Sequence, residues 1–439
     1  MTDACFRLGR LGALTLAGAA AALPAQTYGP AAEPKAVAAA GDPAPPMIPT
    51  ELASAATRAV NANPAMRAAR IGNRAAATDV RSSRWLYGPS VSVNAFAFEG
   101  GSAVVRGDNF TANLVVDQPI WQGGRIGGTI DRARAAQRQS EAVTDETGQD
   151  IAERVTNGYF ELVRALERVR ALEAGLAEHR NLVGSIERRV AQEVSPAVDL
   201  ELARSRTNQL NEQQSTAQAQ ASANLAQLRV LLAEPSFSPS ASPRYDPALH
   251  HPSEDGAVEA ATLCSPLRRR LQAESLVARA DQRLARSALL PRLSAQFTSN
   301  EVTGERVGIA FSASTNGGLS QLEAERSARL RQQAAETRIG AADVELQTAL
   351  AADFAENRAA RDRIATSRIA AQSSRAVTDS YQRQFVVGRR SWLDVMNAAL
   401  ETIQSDIAVR DAEVSAMASA ARIALRTCRW QPEPQVSRP

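Results

Sequence analysis

Apolar residues recur at every seventh position from Val155 through Leu162, Val169, Leu176 and Val183 to Val190. A strict seven-residue repeat imposes a left-handed supercoil with a neighbouring helix. The surrounding pattern predicts one helix from about Ile126 to Val190, roughly 95 Å long at 1.5 Å per residue. Elsewhere the period drops to two, which predicts strands at 90–98, 110–121, 292–299 and 306–315. The last alternates most clearly. Val307, Ile309, Phe311 and Ala313 lie on one face, Gly308, Ala310, Ser312 and Ser314 on the other.

The pattern occurs twice. Asn63-Pro64 opens one helical run and Ser265-Pro266 another, and Pro64/Pro266, Asp79/Asp281 and Pro89/Pro291 are each separated by 202 residues. Gly123-Gly124 answers Gly317-Gly318, and SPAVDLELA (195–203) answers SWLDVMNAA (391–399). An ordered series of matches implies two copies of one unit. In each copy a Pro starts a helix of about twenty residues and a second Pro ends it. Two strands, a very long helix, a break and another helix follow.

Composition agrees with long packed helices more than with a thick core. Aromatics are 4% of the chain and much of the 44% hydrophobic content is alanine, which supplies little burial per residue. The formal charge is +3 from 50 basic and 47 acidic residues, with Lys35 the only lysine. Interleaved charges read as solvated helix faces, and a nucleic-acid surface, which needs a one-signed patch, is not expected.

The N-terminus carries Arg7 and Arg10 before LGALTLAGAAAAL (11–23) and Pro24-Ala25. This predicts a secretory signal peptide over 1–25, cleaved near 22–25 and too short to span a bilayer. Cys5 precedes the apolar core and is not placed for lipid attachment. Residues 26–50 form a Pro/Ala-rich arm. The first repeat covers 51–234, a Pro/Ser-rich loop 235–256, the second repeat 257–428 and a tail 429–439. No other segment is apolar enough for a transmembrane helix.

Four strands of about ten residues with one apolar face have the length to cross a bilayer when tilted. A spanning sheet must close, and the smallest bacterial barrels have eight strands. A four-stranded chain must therefore borrow strands from identical neighbours, and three copies give twelve. A small soluble sheet packed on helices is the other reading.

The leader, the internal repeat, the Asn-Pro-helix-Pro-strand order, QPIWQGGRI (118–126) and GRRSWLDVMNA (388–398) together resemble the TolC family of outer-membrane channel proteins. The likeness spans about residues 50–430. It implies a mainly α fold with a small β part: four membrane strands and long coiled-coil helices per chain, completed as a homotrimer with a twelve-stranded barrel and a twelve-helix periplasmic tunnel. It also implies a Gram-negative outer-membrane location in contact with lipid. A periplasmic adaptor and an inner-membrane transporter, of ABC type in the type I secretion branch that the second tip most resembles, are the implied partners. Drug or metal efflux is the alternative within the fold, and a periplasmic coiled-coil scaffold is the alternative outside it.

The helix breaks at 191–196 and 386–391 would be the periplasmic tips. Gly388 permits the left-handed turn that ends one helix. Ser391 can cap the next, with Asp394 in the capping-box position. The resemblance implies that Arg390 bonds Asp199 across a closed gate. Asp394 takes the first of the family's two lumenal aspartate positions and Asn397 the second, while Phe385 replaces the gate tyrosine. Arg189, Val190, Ser195 and Pro196 on one tip, and Val387, Gly388, Arg389 and Ser391 on the other, are the implied adaptor contacts. Trp392 is expected to pack between hairpins.

Cys264 and Cys428 fall near the tunnel's middle belt, where an oxidising periplasm permits a disulfide; two free buried thiols are the alternative. The histidines, His179 in mid-helix and His250-His251 in the loop, have no cysteine or carboxylate cluster around them, so no metal is expected. No cofactor or catalytic motif is recognised, and the chain reads as a passive duct.

Overall fold

The computed structural model describes residues 44–97, 110–239, 242–300, 304–313 and 320–432. The leader, the arm as far as residue 43, Phe98, Ser314, Thr315, Gly317-Gly318 and the tail from 433 lie outside the described residues.

Two short helices, α1 (Thr50–Ala62) and α2 (Pro64–Arg84), precede a single 3-10 turn, Trp85–Tyr87. Strands β1 (Ser90–Ala97) and β2 (Phe110–Trp121) lead into α3 (Arg125–Ala191), followed by α4 (Ala197–Leu232). The second repeat gives α5 (Ala257–Cys264), α6 (Pro266–Ser287), β3 (Arg292–Asn300), β4 (Gly304–Ser312), α7 (Ser320–Val386) and α8 (Trp392–Arg426). Both paired starts form for the same local reason. Asn63 Oδ1 accepts from the Ala65 amide at 2.9 Å ahead of Pro64, and Ser265 Oγ accepts from the Arg268 amide at 3.3 Å ahead of Pro266. Each cap satisfies an orphan donor, and each Pro occupies a position whose N–H has no helical partner.

Helices α3 and α7 each have 67 residues, about 100 Å at helical rise. In α3 the heptad seam turns inward: Val155, Leu162 and Leu176 are buried and Val169 and Val183 half-buried. The counterpart in α7 lies 195 residues on, at Leu350, Asn357, Ile364, Ala371, Thr378 and Phe385, and all six are buried. Polar Asn357 and Thr378 are tolerated there because each is bonded. Asn357 Nδ2 donates to the Ala416 carbonyl at 2.9 Å, and the Thr378 and Thr402 hydroxyls meet at 2.9 Å.

Helix α3 packs on α2, α6, α4 and α8, whereas α7 packs on α6 and α8. Arginines of α6 lace it to both long helices. Arg283 and Arg269 bond Asp131 and Asp145 of α3 at 2.6 and 2.8 Å, and Arg268 bonds Asp343 of α7 at 3.0 Å. The largest apolar cluster joins α1, mid-α3, the end of α4 and the end of α8, around Tyr159, Phe160, Leu228 and Met417. Among the described residues no helix is long and apolar enough to cross a membrane.

Candidate channel wall, belt and periplasmic gate

The four strands form one antiparallel sheet in the order β1-β2-β3-β4. Directly opposed residues share a face, so the register fixes its chemistry. One row reads Val91, Val116, Phe297, Val307 and the next Ser90, Asp117, Gln296, Gly308. The sheet is thus apolar on one face and polar on the other. A sheet in a water-soluble domain would press its apolar face onto helices. Here Val307 is 82% exposed, and Val91, Val93, Ile309 and Phe311 are exposed with it. Trp85, Tyr87 and Trp121, also exposed, cluster at the junctions between strands and helices, as do the aromatic girdles of membrane barrels.

At the belt, Cys264 at the end of α5 is joined to Cys428 after α8 by a disulfide that spans 164 residues. Beside it, Asp353 of α7 is nearly enclosed. Its two oxygens accept from Arg422 Nε at 2.7 Å and Arg426 Nε at 2.8 Å, and Arg426 reaches on to Glu153 of α3 at 2.7 Å. The loop before α5 packs across the same belt, with His250 stacked on Tyr245. No group of metal-ligating side chains is found among the described residues.

The two tips are built alike. Glu193 and Gly388 are both left-handed, at φ 59° and 76°. The Val194 amide donates to the Arg189 carbonyl at 2.8 Å, and the Arg389 amide to that of Gln384 at 2.9 Å, so the same helix-ending turn occurs at an offset of 195. The sequence match of SPAVDLELA to SWLDVMNAA, at 196, is therefore one residue out. Pro196 takes the cap position of Ser391, and Asp199 corresponds to Asp394. Glutamate occupies the site where the second repeat has glycine, at the steric cost that a Cβ carries in this conformation.

Ser391 Oγ accepts from the Asp394 amide at 3.2 Å, the expected cap. Arg390 does not reach Asp199 within the chain. Its guanidinium lies 4.4 Å from the Tyr381 ring centroid, its Nε donates to Gln384 at 3.3 Å, and Asp394 is its ion partner at 3.7 Å. Arg189 mirrors it, 4.7 Å over the Phe385 ring with Ser195 at 3.4 Å. Sequence reasoning missed this exchange. The signal was present, because 189 and 195 become 384 and 390 once the offset is 195. Phe385 and Trp392, 3% exposed, share one cluster with Ile186, Ala203, Val395 and Met396, which locks the two hairpins together. Around it Val194, Val198, Val386, Val387 and Leu393 are exposed, with Gly388, Arg389 and Pro196 beside them. Val190 is half-buried and Asn397 exposed.

An uncovered amphipathic sheet carried on helices of this length is the fold of TolC-like outer-membrane channels. Residues 55–234, the first repeat, match the sequence model of the family described as outer membrane efflux protein. Solved structures agree over most of the chain. CusC, from work on transmembrane channel formation, aligns with a TM-score of 0.77 at 15% identity, over 86% of this chain and 92% of that one. The outer-membrane channel OprN gives 0.78 at 18%, over 87% and 91%. The outer membrane protein VceC from Vibrio cholerae gives 0.75 at 16%, over 86% and 96%. No curated protein sequence matches.

Proposed function

We propose that the chain is an outer-membrane exit duct of a tripartite export system, closed into a ring by identical copies. The uncovered apolar face of the sheet carries this reading. Lipid is the solvent that leaves such a face without penalty, and β1 and β4 present open edges that only further strands can satisfy. Two copies would supply eight strands, whose interior is filled by side chains, while three supply twelve and leave a passage.

The internal repeat supplies the ring's seam. Helix α6 is held between α3 and α7, but its counterpart α2 rests chiefly on α3. Ile71 is 62% exposed where Ala273, 202 residues on, is buried. Helix α7 is bare on the side where α3 receives α6, and shows Leu322, Leu330 and Val344 to solvent. The bare side of α2 in one copy fits the bare side of α7 in the next. Equivalence places Ala68 near Ala341, where Arg270 bonds Glu146 within the chain at 2.6 Å. The seam between copies is thus small and apolar where the internal one is ionic.

Relatives of this family work as trimers with a periplasmic adaptor and an inner-membrane transporter, and the exposed valines and arginines of the tips are the surface we assign to the adaptor. A small-solute efflux role draws on the family match. Type I protein secretion with an ABC transporter is the second reading, and it draws on the GRRSWLDV turn. Fractionation of cells followed by mass measurement in detergent tests the common core. The duct predicts an outer-membrane particle of three chains, and a monomer in the soluble periplasmic fraction would replace it with the scaffold.

A further inference from the structure

His179 lies on α3 between two apolar clusters. Leu172, Leu176, Leu210 and Ile403 lie on one side of it, and Ile186, Ala203, Phe385 and Trp392 on the other. The ring is fully buried, neither nitrogen makes a hydrogen bond of good geometry, and the Ala203 carbonyl on α4 is the acceptor beside it. A leucine would fill this place at lower cost, since a poorly paired buried polar group is unfavourable. Burial holds the imidazole below its ordinary pKa, and the Ala203 carbonyl on α4 opposes the shift without reversing it.

The charged groups of the surrounding elements are turned elsewhere. On α3 Glu178 accepts from Gln382 of α7, and Arg180 is exposed. On α4 Arg204 bonds Glu201 and Glu187, and Arg206 bonds Gln209. On α8 Asp394 pairs with Arg390, and Glu401 is exposed. On α7 Arg383 is exposed, and Tyr381 is covered by Arg390.

We propose that His179 is a proton-sensitive release for the periplasmic end: protonation drives the α3/α4 hairpin away from α8 and opens the duct. The opening step rests on the channel reading, but the loosening of the hairpin does not. A state in which the ring reaches water restores its ordinary pKa near 6.5. Packing is therefore fully favoured above about pH 6.5. It weakens as pH falls, by up to about tenfold per protomer per pH unit, until the depressed pKa is passed. His250, stacked on Tyr245 in the belt loop, and exposed His251 belong to a different part of the molecule.

Hydrogen exchange on the full chain in detergent, at about pH 7 and about pH 5 and corrected for intrinsic rates, reads the hairpin directly. The wild type should lose protection around 176–190 and 199–210 at the lower pH, and His179→Leu should keep it. Open probability in a planar bilayer should follow the same pattern. Equal loss in both proteins, or none in the wild type, overturns the proposal. If His179→Leu does not fold, His179→Met serves the same comparison. Silence in the bilayer at every pH removes the duct, and the exchange data still decide His179.

Discussion

Asp353 shows how one residue holds three helices. Its carboxylate is nearly enclosed between Arg422 and Arg426, and Arg426 carries the link from α7 and α8 to Glu153 on α3. Removing Asp353 leaves Arg422 and Arg426 with one carboxylate each, Glu356 at 2.6 Å and Glu153 at 2.7 Å, and with their Nε donors unmet. Asp353→Ala should therefore cost about 1.5–3 kcal/mol in denaturant unfolding. Arg390→Ala stands at the other extreme. Its partner Asp394 is 3.7 Å away and both side chains are more than 40% exposed, so unfolding stability should change by no more than about 1 kcal/mol. Local chemistry of this kind was partly legible in the sequence. The Ser391 cap needs only its own turn, and it forms as expected. The partner of Arg390 depends on how the turn after α7 aims the chain, and so the implied bond to Asp199 is absent within the chain. Glu193 in a left-handed conformation was hidden for the same reason, because nothing in its side chain announces it.

At the scale of elements, the legible features were those with a strict period. The α3 seam is a run of Val and Leu at sevens and fills its predicted place. The α7 seam contains Asn357, Ala371 and Thr378, which carry no hydrophobic signal, and it emerges only when the offset of 195 is known. Alternation located all four strands within three residues wherever their ends are described. Between α3 and α8 the packing is close enough to test. A Cβ on Gly175 would lie 2.4 Å from Ile403 Cδ1, so Gly175→Ala should destabilise by about 1–3 kcal/mol, seen as a lower unfolding temperature. The disulfide closes a long loop between α5 and the end of α8. Cys264→Ser, or reduction of the wild type, should cost about 2–5 kcal/mol. An unchanged midpoint after reduction would show that the belt's ion pairs suffice alone.

At the scale of the whole molecule, the decisive feature is incompleteness. A sheet with two open edges and a bare apolar face, a helix α2 covered on one side, and a helix α7 bare where α3 receives α6 are three signs of the same missing neighbours. Strand count made this legible in the sequence, but the seam was not, because it follows from which face of each helix its counterpart buries. Ala68→Cys combined with Ala341→Cys should link chains to one another under oxidising conditions, and neither single substitution should. Intact trimers that resist linking would keep the ring but move its seam. The central claim, a duct held nearly shut at its tips, is tested most directly by single-channel conductance of the purified protein in a planar bilayer, with and without Arg390→Ala. A small, mostly closed conductance that widens in the variant is the predicted result. Folded protein that conducts nothing in either form would contradict the duct.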